Sequence, residues 1–307
     1  AGRALALAEL ALFIAERVPG EVSHRAQAYA HGLITNAHRV GGQLPVADTT
    51  YARALEMWKA GSTGDPAIDG ARFLDFGASL RRDQRRLDEA IAFLDEALEL
   101  ATPTGMSDLL LNKSHIQHAR GEYEEALQTL DQAAARIDPE REPWSWFAVQ
   151  FNRAANLTRL GEYQKAQRLL PTIWDLVDVV KGDLHLLKVR WLAAEITAGL
   201  GDEETATRSL AAVRKEFADR KDPFNTALVS LDIAEIYLKQ DRWPEVHVLA
   251  NEMTQLFRDL GVHREALTAA LLFREATERK EATVDLVRRL ARYLREARAD
   301  PSLHFEG

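Results

Sequence analysis

The chain of 307 residues carries 39 Lys and Arg against 47 Asp and Glu, a formal net charge of −8, and it contains no cysteine. That balance argues against a general nucleic-acid binder, whose affinity rests on cationic contacts with phosphate. Disulfides and thiolate metal sites are excluded and a reducing, cytoplasmic setting is expected; no apolar run reaches the roughly 20 residues of a membrane span.

The composition, 46% hydrophobic and 28% charged, favours helix. Residues 3–17 (RALALAELALFIAER) read as one apolar-rich helix, stopped by Pro19-Gly20. The sequence opens at Ala1 in helical pattern, without a signal-peptide layout. The chain is therefore expected to be a fragment of a longer protein, with the missing part upstream. A helix over 22–40 ends at Gly41-Gly42, where glycine takes a left-handed cap without a Cβ penalty. Pro45 suits the first turn of the next helix, which buries Ala47, Tyr51, Ala54, Leu55 and Trp58. A loop over 61–66 precedes helices at 71–82 and 87–100, the second with Ala90, Ile91, Leu94, Ala97 and Leu98 inward.

After Thr102–Gly105 come a helix at 107–120 and the segment GEYEEALQTLDQAAARI, residues 121–137. Its Ala126, Leu127, Leu130, Ala133, Ala134 and Ile137 share one face of a 3.6-residue period. The segment recurs as GEYQKAQRLL from Gly161 and GDEETATRSL from Gly201. Asp138-Pro139 and Pro143 set it apart from helices at 144–160 and 163–180. In the latter, Pro171 cannot donate to the carbonyl of residue 167, which predicts a kink or break. Helices follow at 184–200, 203–217 and 224–240. The next starts at Pro244 and buries Val246, Leu249, Ala250, Met253, Leu256 and Phe257; helices at 263–280 and 284–298 close the chain.

Self-similarity at a fixed period is the signature of a repeat array. Ala126, Ala166 and Ala206 each follow a glycine by five, with Tyr123 and Tyr163 at an aromatic place between; Ala47, Ala90 and Val246 fit the same position. Over about residues 22–260 this pattern resembles tetratricopeptide repeats, with steps of 43, 36, 40, 40 and 40 that exceed the standard unit of about 34. The resemblance implies an all-α, right-handed α-α superhelix, a solenoid of about six or seven helix pairs. It would be a single repeat domain over 1–307: an N-terminal helix (1–20), repeats (21–260), and a C-terminal helix pair and tail (261–307). The length of the repeats resembles the sensor arrays of bacterial regulators.

No phosphate loop, GxSxG elbow or HExxH is present. His24, His31 and His38 lie on one helix face, but two turns, about 10 Å, part neighbours, so packing is their expected role. His115 and His118, at i,i+3, lack a third ligand in sequence, and neither a metal nor a cofactor is expected. Glu124-Glu125 and Glu203-Glu204 fall in first turns, where the helix dipole favours them. Arg81-Arg82-Asp83-Gln84-Arg85-Arg86 reads as a solvated turn. Arg288, Arg289, Arg292, Arg295 and Arg298 read as the polar outer face of a terminal cap.

By the resemblance, the first helix of each pair lines the inner groove. Counting from the anchors, the inner positions include Asn36, Arg39, Arg72, Asp75, Arg82, Asn112, His115, Asn152, Lys188, Trp191, Glu195, Asp232 and Glu235. Asn112 and Asn152 stand 40 residues apart at one repeat position. Such amides can grip a peptide backbone or bridge helices. Arginines toward one end and carboxylates toward the other describe a charge gradient that could orient a ligand. The expected function is a non-catalytic protein- or peptide-binding module of a larger bacterial regulatory or signalling protein. A passive assembly scaffold is the first alternative and a nucleic-acid-associated regulator the second. The expected partner is a protein or peptide, not a membrane, and homo-oligomerisation stays open.

Overall fold

The computed structural model describes residues 2–17, 22–61, 68–103, 105–298, 300 and 303–305. The stop expected at Pro19-Gly20, most of the 61–66 loop, Thr104 and Pro301 lie outside the described residues. Among the described residues the chain forms sixteen helices and no strand. They fall into two compact units, Ala1–Pro139 and Glu140–Gly307. The first holds α1 (Gly2–Ala15), α2 (Val22–Val40), α3 (Leu44–Ala60), α4 (Gly70–Asp83), α5 (Leu87–Leu100), α6 (Met106–Arg120) and α7 (Tyr123–Ala134). The second holds α8 (Pro143–Arg159), α9 (Tyr163–Gln167), α10 (Leu170–Val180), α11 (Asp183–Gly199), α12 (Glu203–Asp219), α13 (Pro223–Lys239), α14 (Trp243–Asp259), α15 (Arg264–Glu278) and α16 (Val284–Ala297). No described helix is long and apolar enough to cross a membrane.

One local device makes the hairpins. A residue with positive φ recurs at Gly42, Arg85, Gly121, Gly161, Gly201 and Asp241. Each time the next N–H returns to the carbonyl five residues back, as in Arg86 to Arg81 at 2.8 Å and Arg242 to Tyr237 at 2.9 Å. These bonds close the helix end in the Schellman manner and turn the chain back. Five residues after each turn stands Ala47, Ala90, Ala126, Ala166, Ala206 or Val246, every one fully buried. A small side chain there lets the two helices of a pair approach closely. Leu55, Ile91, Leu98 and Leu256, expected inward, are only half-buried.

Aromatic packing locks α3 against α4. Tyr51 stacks on Phe73 at 5.5 Å and meets Phe93 edge-on at 5.7 Å, and Trp58 stacks on Phe73 at 4.3 Å. Gly77 sits so close beneath Tyr51 that a β-carbon there would lie 2.1 Å from the hydroxyl oxygen.

The helix expected over 163–180 is broken just before Pro171. α9 ends at Gln167, and Leu169 N–H returns to Ala166 O at 3.1 Å before α10 begins. At the end of the second unit α15 packs on α14, and α16 lies across α13. The terminal helix thus occupies a place in the row of first helices. Its Val287, Leu290, Tyr293 and Leu294 are buried, and its four arginines and the capping Arg298 are exposed.

Candidate functional site

The first helices of successive pairs pack on one another. In the first unit α2 meets α4 and α4 meets α6; in the second α8 meets α11, α11 meets α13, and α13 meets α16. The residues picked from the sequence all stand on these helices.

In the first unit all of them but His115 join a single polar chain. Arg39 donates through Nε and Nη2 to Asn36 Oδ1 at 3.1 and 2.8 Å, and through Nη1 to Asp83 Oδ2 at 2.5 Å. Arg82 grips the other oxygen of Asp83 with Nε and Nη2, both at 3.0 Å, and reaches Asn112 Oδ1 with Nη1 at 2.7 Å. Asn112 Nδ2 donates to Asp75 Oδ1 at 2.6 Å and to Ser79 Oγ at 3.2 Å. Arg72 Nη1 closes on Asp75 Oδ2 at 2.9 Å. Burial raises the Asp75 carboxyl above the ordinary carboxylate range, against the opposing pull of the Asn112 bond and of Arg72 and Arg82.

Asn112 is therefore a bridge between α4 and α6, with both amide protons and the carbonyl engaged within the protein. Of the two roles left open for this amide, its contacts make the helix bridge. Asn152, its counterpart on α8, is half-buried, and its backbone carbonyl accepts from Asn156 Nδ2 at 2.8 Å. His115 is exposed, while His118 meets Tyr123 edge-on at 5.4 Å.

In the second unit Trp191 Nε1 donates to Asp232 Oδ2 at 2.7 Å, joining α11 to α13. Arg159 of α8 donates to Glu195 Oε1 at 3.0 Å. Asp232 is pushed up to about 7, first by burial and next by repulsion from Glu195, with Arg295, Arg159 and the Trp191 bond pulling the other way. Glu235 is held by Arg288 of α16 through both carboxylate oxygens, at 2.7 and 3.2 Å, and by Lys239 at 3.0 Å. The bonds from Arg288 and Lys239 outweigh the burial that would raise Glu235, so its carboxyl stays below the ordinary range. Lys188 is exposed on the same helix as Trp191 and Glu195.

The charge gradient is thus locally neutralised. Asp83 and Asp75 offset the arginines of the first unit, and Arg159, Arg288 and Lys239 offset the carboxylates of the second. Of the solvated turn expected at 81–86, Arg81 is the part that the structure corrects. Arg81 is buried and pairs with Asp48 of α3, while Arg86 forms a two-oxygen pair with Glu89, both contacts at 2.6 Å. Asp83, Arg159 and Arg288 were absent from the residues picked. The arginine run of α16 was the one signal for Arg288, but its partner lies 53 residues away. Among the described residues no group of three or more His, Asp or Glu could hold a metal ion.

Residues 81–145 match the sequence profile of the tetratricopeptide repeat. The fold is similar to that of a Rap protein complexed with competence and sporulation factor, with a TM-score of 0.70 at 13% identity over 97% of this chain and 85% of that one. It is also similar to the apo form of RapI, with a TM-score of 0.58 at 14% identity over 83% of this chain and 98% of that one. No curated protein sequence matches. Residues 81–145 are tetratricopeptide repeat, and the chain that contains them has the all-helical, paired-helix solenoid fold of such repeats.

Proposed function

We propose that the chain is a non-catalytic protein- or peptide-binding module of a cytoplasmic regulatory or signalling protein, its ligand-contacting surfaces being the rows of first helices in its two units. The observation that carries this reading is the likeness, across 97% of the chain, to a Rap protein solved in complex with competence and sporulation factor. The chemistry of the rows supports it. Arg72, Lys239 and Arg288 keep 48, 50 and 62% of their side-chain surface exposed although each is ion-paired. Pairs of that exposure stabilise a fold by at most about 1 kcal/mol, so a charged ligand can exchange into them at small cost. Upstream coupling to an effector domain belongs to the same proposal.

Passive scaffolding is the second reading, favoured by the internal engagement of Asn112. Selection of a displayed library of short peptides against the whole chain, followed by calorimetric titration of the enriched peptides, separates the two. The binding reading expects Arg72→Glu or Glu235→Gln to weaken at least one selected peptide tenfold or more. No enrichment, or unchanged affinity in both folded variants, rejects it.

A further inference from the structure

Between α10, α11 and α12 of the second unit lies a cavity of about 300 Å³, at the small end of the roughly 300–1,000 Å³ range of ligand sites. Its walls follow from the sequence. The interruption before Pro171 separates α10 from α9, and α10 contributes Trp174. Small side chains, Ala193 of α11 and Ala212 and Ser209 of α12, leave the space unfilled. The site is separate from the row described above, since Ala193 stands about 160° around the helix axis from both Trp191 and Glu195.

The rim carries both signs of charge. Arg190 Nη1 donates to Glu216 Oε1 at 2.8 Å, with the two side chains 48 and 40% exposed. A pair so exposed holds together with at most about 1 kcal/mol, and opening it is easy. The Trp174 indole N–H and the Ser209 hydroxyl have no hydrogen-bond partner among the described residues, which leaves two more polar groups at the cavity wall.

We propose that this cavity binds a small zwitterion with an apolar body, the chemistry of a free α-amino acid bearing an aromatic or branched aliphatic side chain. The ligand's carboxylate takes Arg190, its ammonium takes Glu216, and its side chain packs on Trp174 and the alanines. A purely anionic ligand would set its charge beside Glu216, and a purely cationic one beside Arg190. A neutral apolar molecule would use neither. Only a ligand carrying both charges replaces both halves of the rim pair. The proposal does not depend on the peptide-binding reading.

The test is calorimetric titration and thermal shift of the whole chain with L-phenylalanine and L-leucine as probes. N-acetyl-L-phenylalanine, which lacks the ammonium, and L-phenylalaninamide, which lacks the carboxylate, serve as controls. Saturable binding of at least one probe is expected, weakened tenfold or more in each blocked derivative and in Glu216→Gln. It should be lost in Ala212→Leu, which fills the cavity from an exposed position on α12. Folding of both variants is checked by circular dichroism. Absence of saturable binding to both probes overturns the proposal, as does equal binding of the blocked derivatives or wild-type binding by the two folded variants.

Discussion

Asp232 makes the second unit's stability depend on pH in a direction that can be computed. Burial and the neighbouring Glu195 lift its carboxyl from the ordinary 3.8 to about 7. In the unfolded chain it returns to the ordinary value, so between about pH 4 and about pH 7 the folded state binds the extra proton. The group's stabilising contribution is therefore complete below the unfolded value and is lost as pH rises through the folded one. At about 1.36 kcal/mol per pH unit the ceiling is roughly 4 kcal/mol. The side chain is only half-buried, and solvent screening reduces the expected loss to about 1–3 kcal/mol. Asp232→Asn keeps a carbonyl acceptor for the Trp191 indole and removes the titration. Urea denaturation of both proteins between about pH 3.5 and about pH 8 measures the effect. The variant should match wild type at the acid end and exceed it by about 1–3 kcal/mol at the alkaline end. Parallel stability curves across that range would refute the placement of an uncompensated carboxylate between α11 and α13.

Three further outcomes are expected. Ala126→Leu and Ala166→Leu overpack fully buried positions and should each cost about 1–3 kcal/mol, read as a lowered urea midpoint; unchanged midpoints in both would reject the repeat register. Asn112→Ala strips the nearly buried Asp75 of a donor and should destabilise the first unit by about 1–3 kcal/mol, whereas an unaffected melting curve would return Asn112 to a ligand-facing role. Asp241→Gly relieves a left-handed turn at φ 56° that costs a residue with a Cβ about 1–2 kcal/mol; after the entropy glycine adds to the unfolded chain a gain of about 0.5–1 kcal/mol remains, and a loss of stability would contradict it.

The helices, the repeat register and the interruption at Pro171 were legible because each depends on local chemistry. Apolar residues at 3.6-residue spacing mark the buried faces, and Gly121, Gly161 and Gly201 mark turns that only positive φ can make. The same turn at Arg85 and Asp241 carries no glycine, so the backbone conformation could not be read from residue type. Side-chain partners were less accessible. Counting along the first helices picked Arg39, Arg82 and Asn112, but the count does not disclose that Asp83 sits between the arginines. Trp191 and Asp232 were both picked, and their bond spans 41 residues, which periodicity alone does not resolve. The partner of Glu235 comes from a terminal helix that enters the row across α13. Its arginines marked α16 as a terminal cap, without showing where it docks. The cavity walled by Trp174 depends on where α10 resumes after a two-residue interruption, a matter of tertiary packing.

The central claim is that the rows of first helices receive a ligand, and hydrogen exchange tests it most directly. Exchange of the whole chain is compared with and without a peptide selected by display and shown to bind by calorimetry. The account predicts slowed exchange concentrated in α2, α4 and α6 or in α8, α11, α13 and α16, including the segments around Arg82 or Glu235. Slowing confined to the second helices of the pairs, α3, α5, α7, the interrupted α9 and α10, α12 and α14, would contradict it.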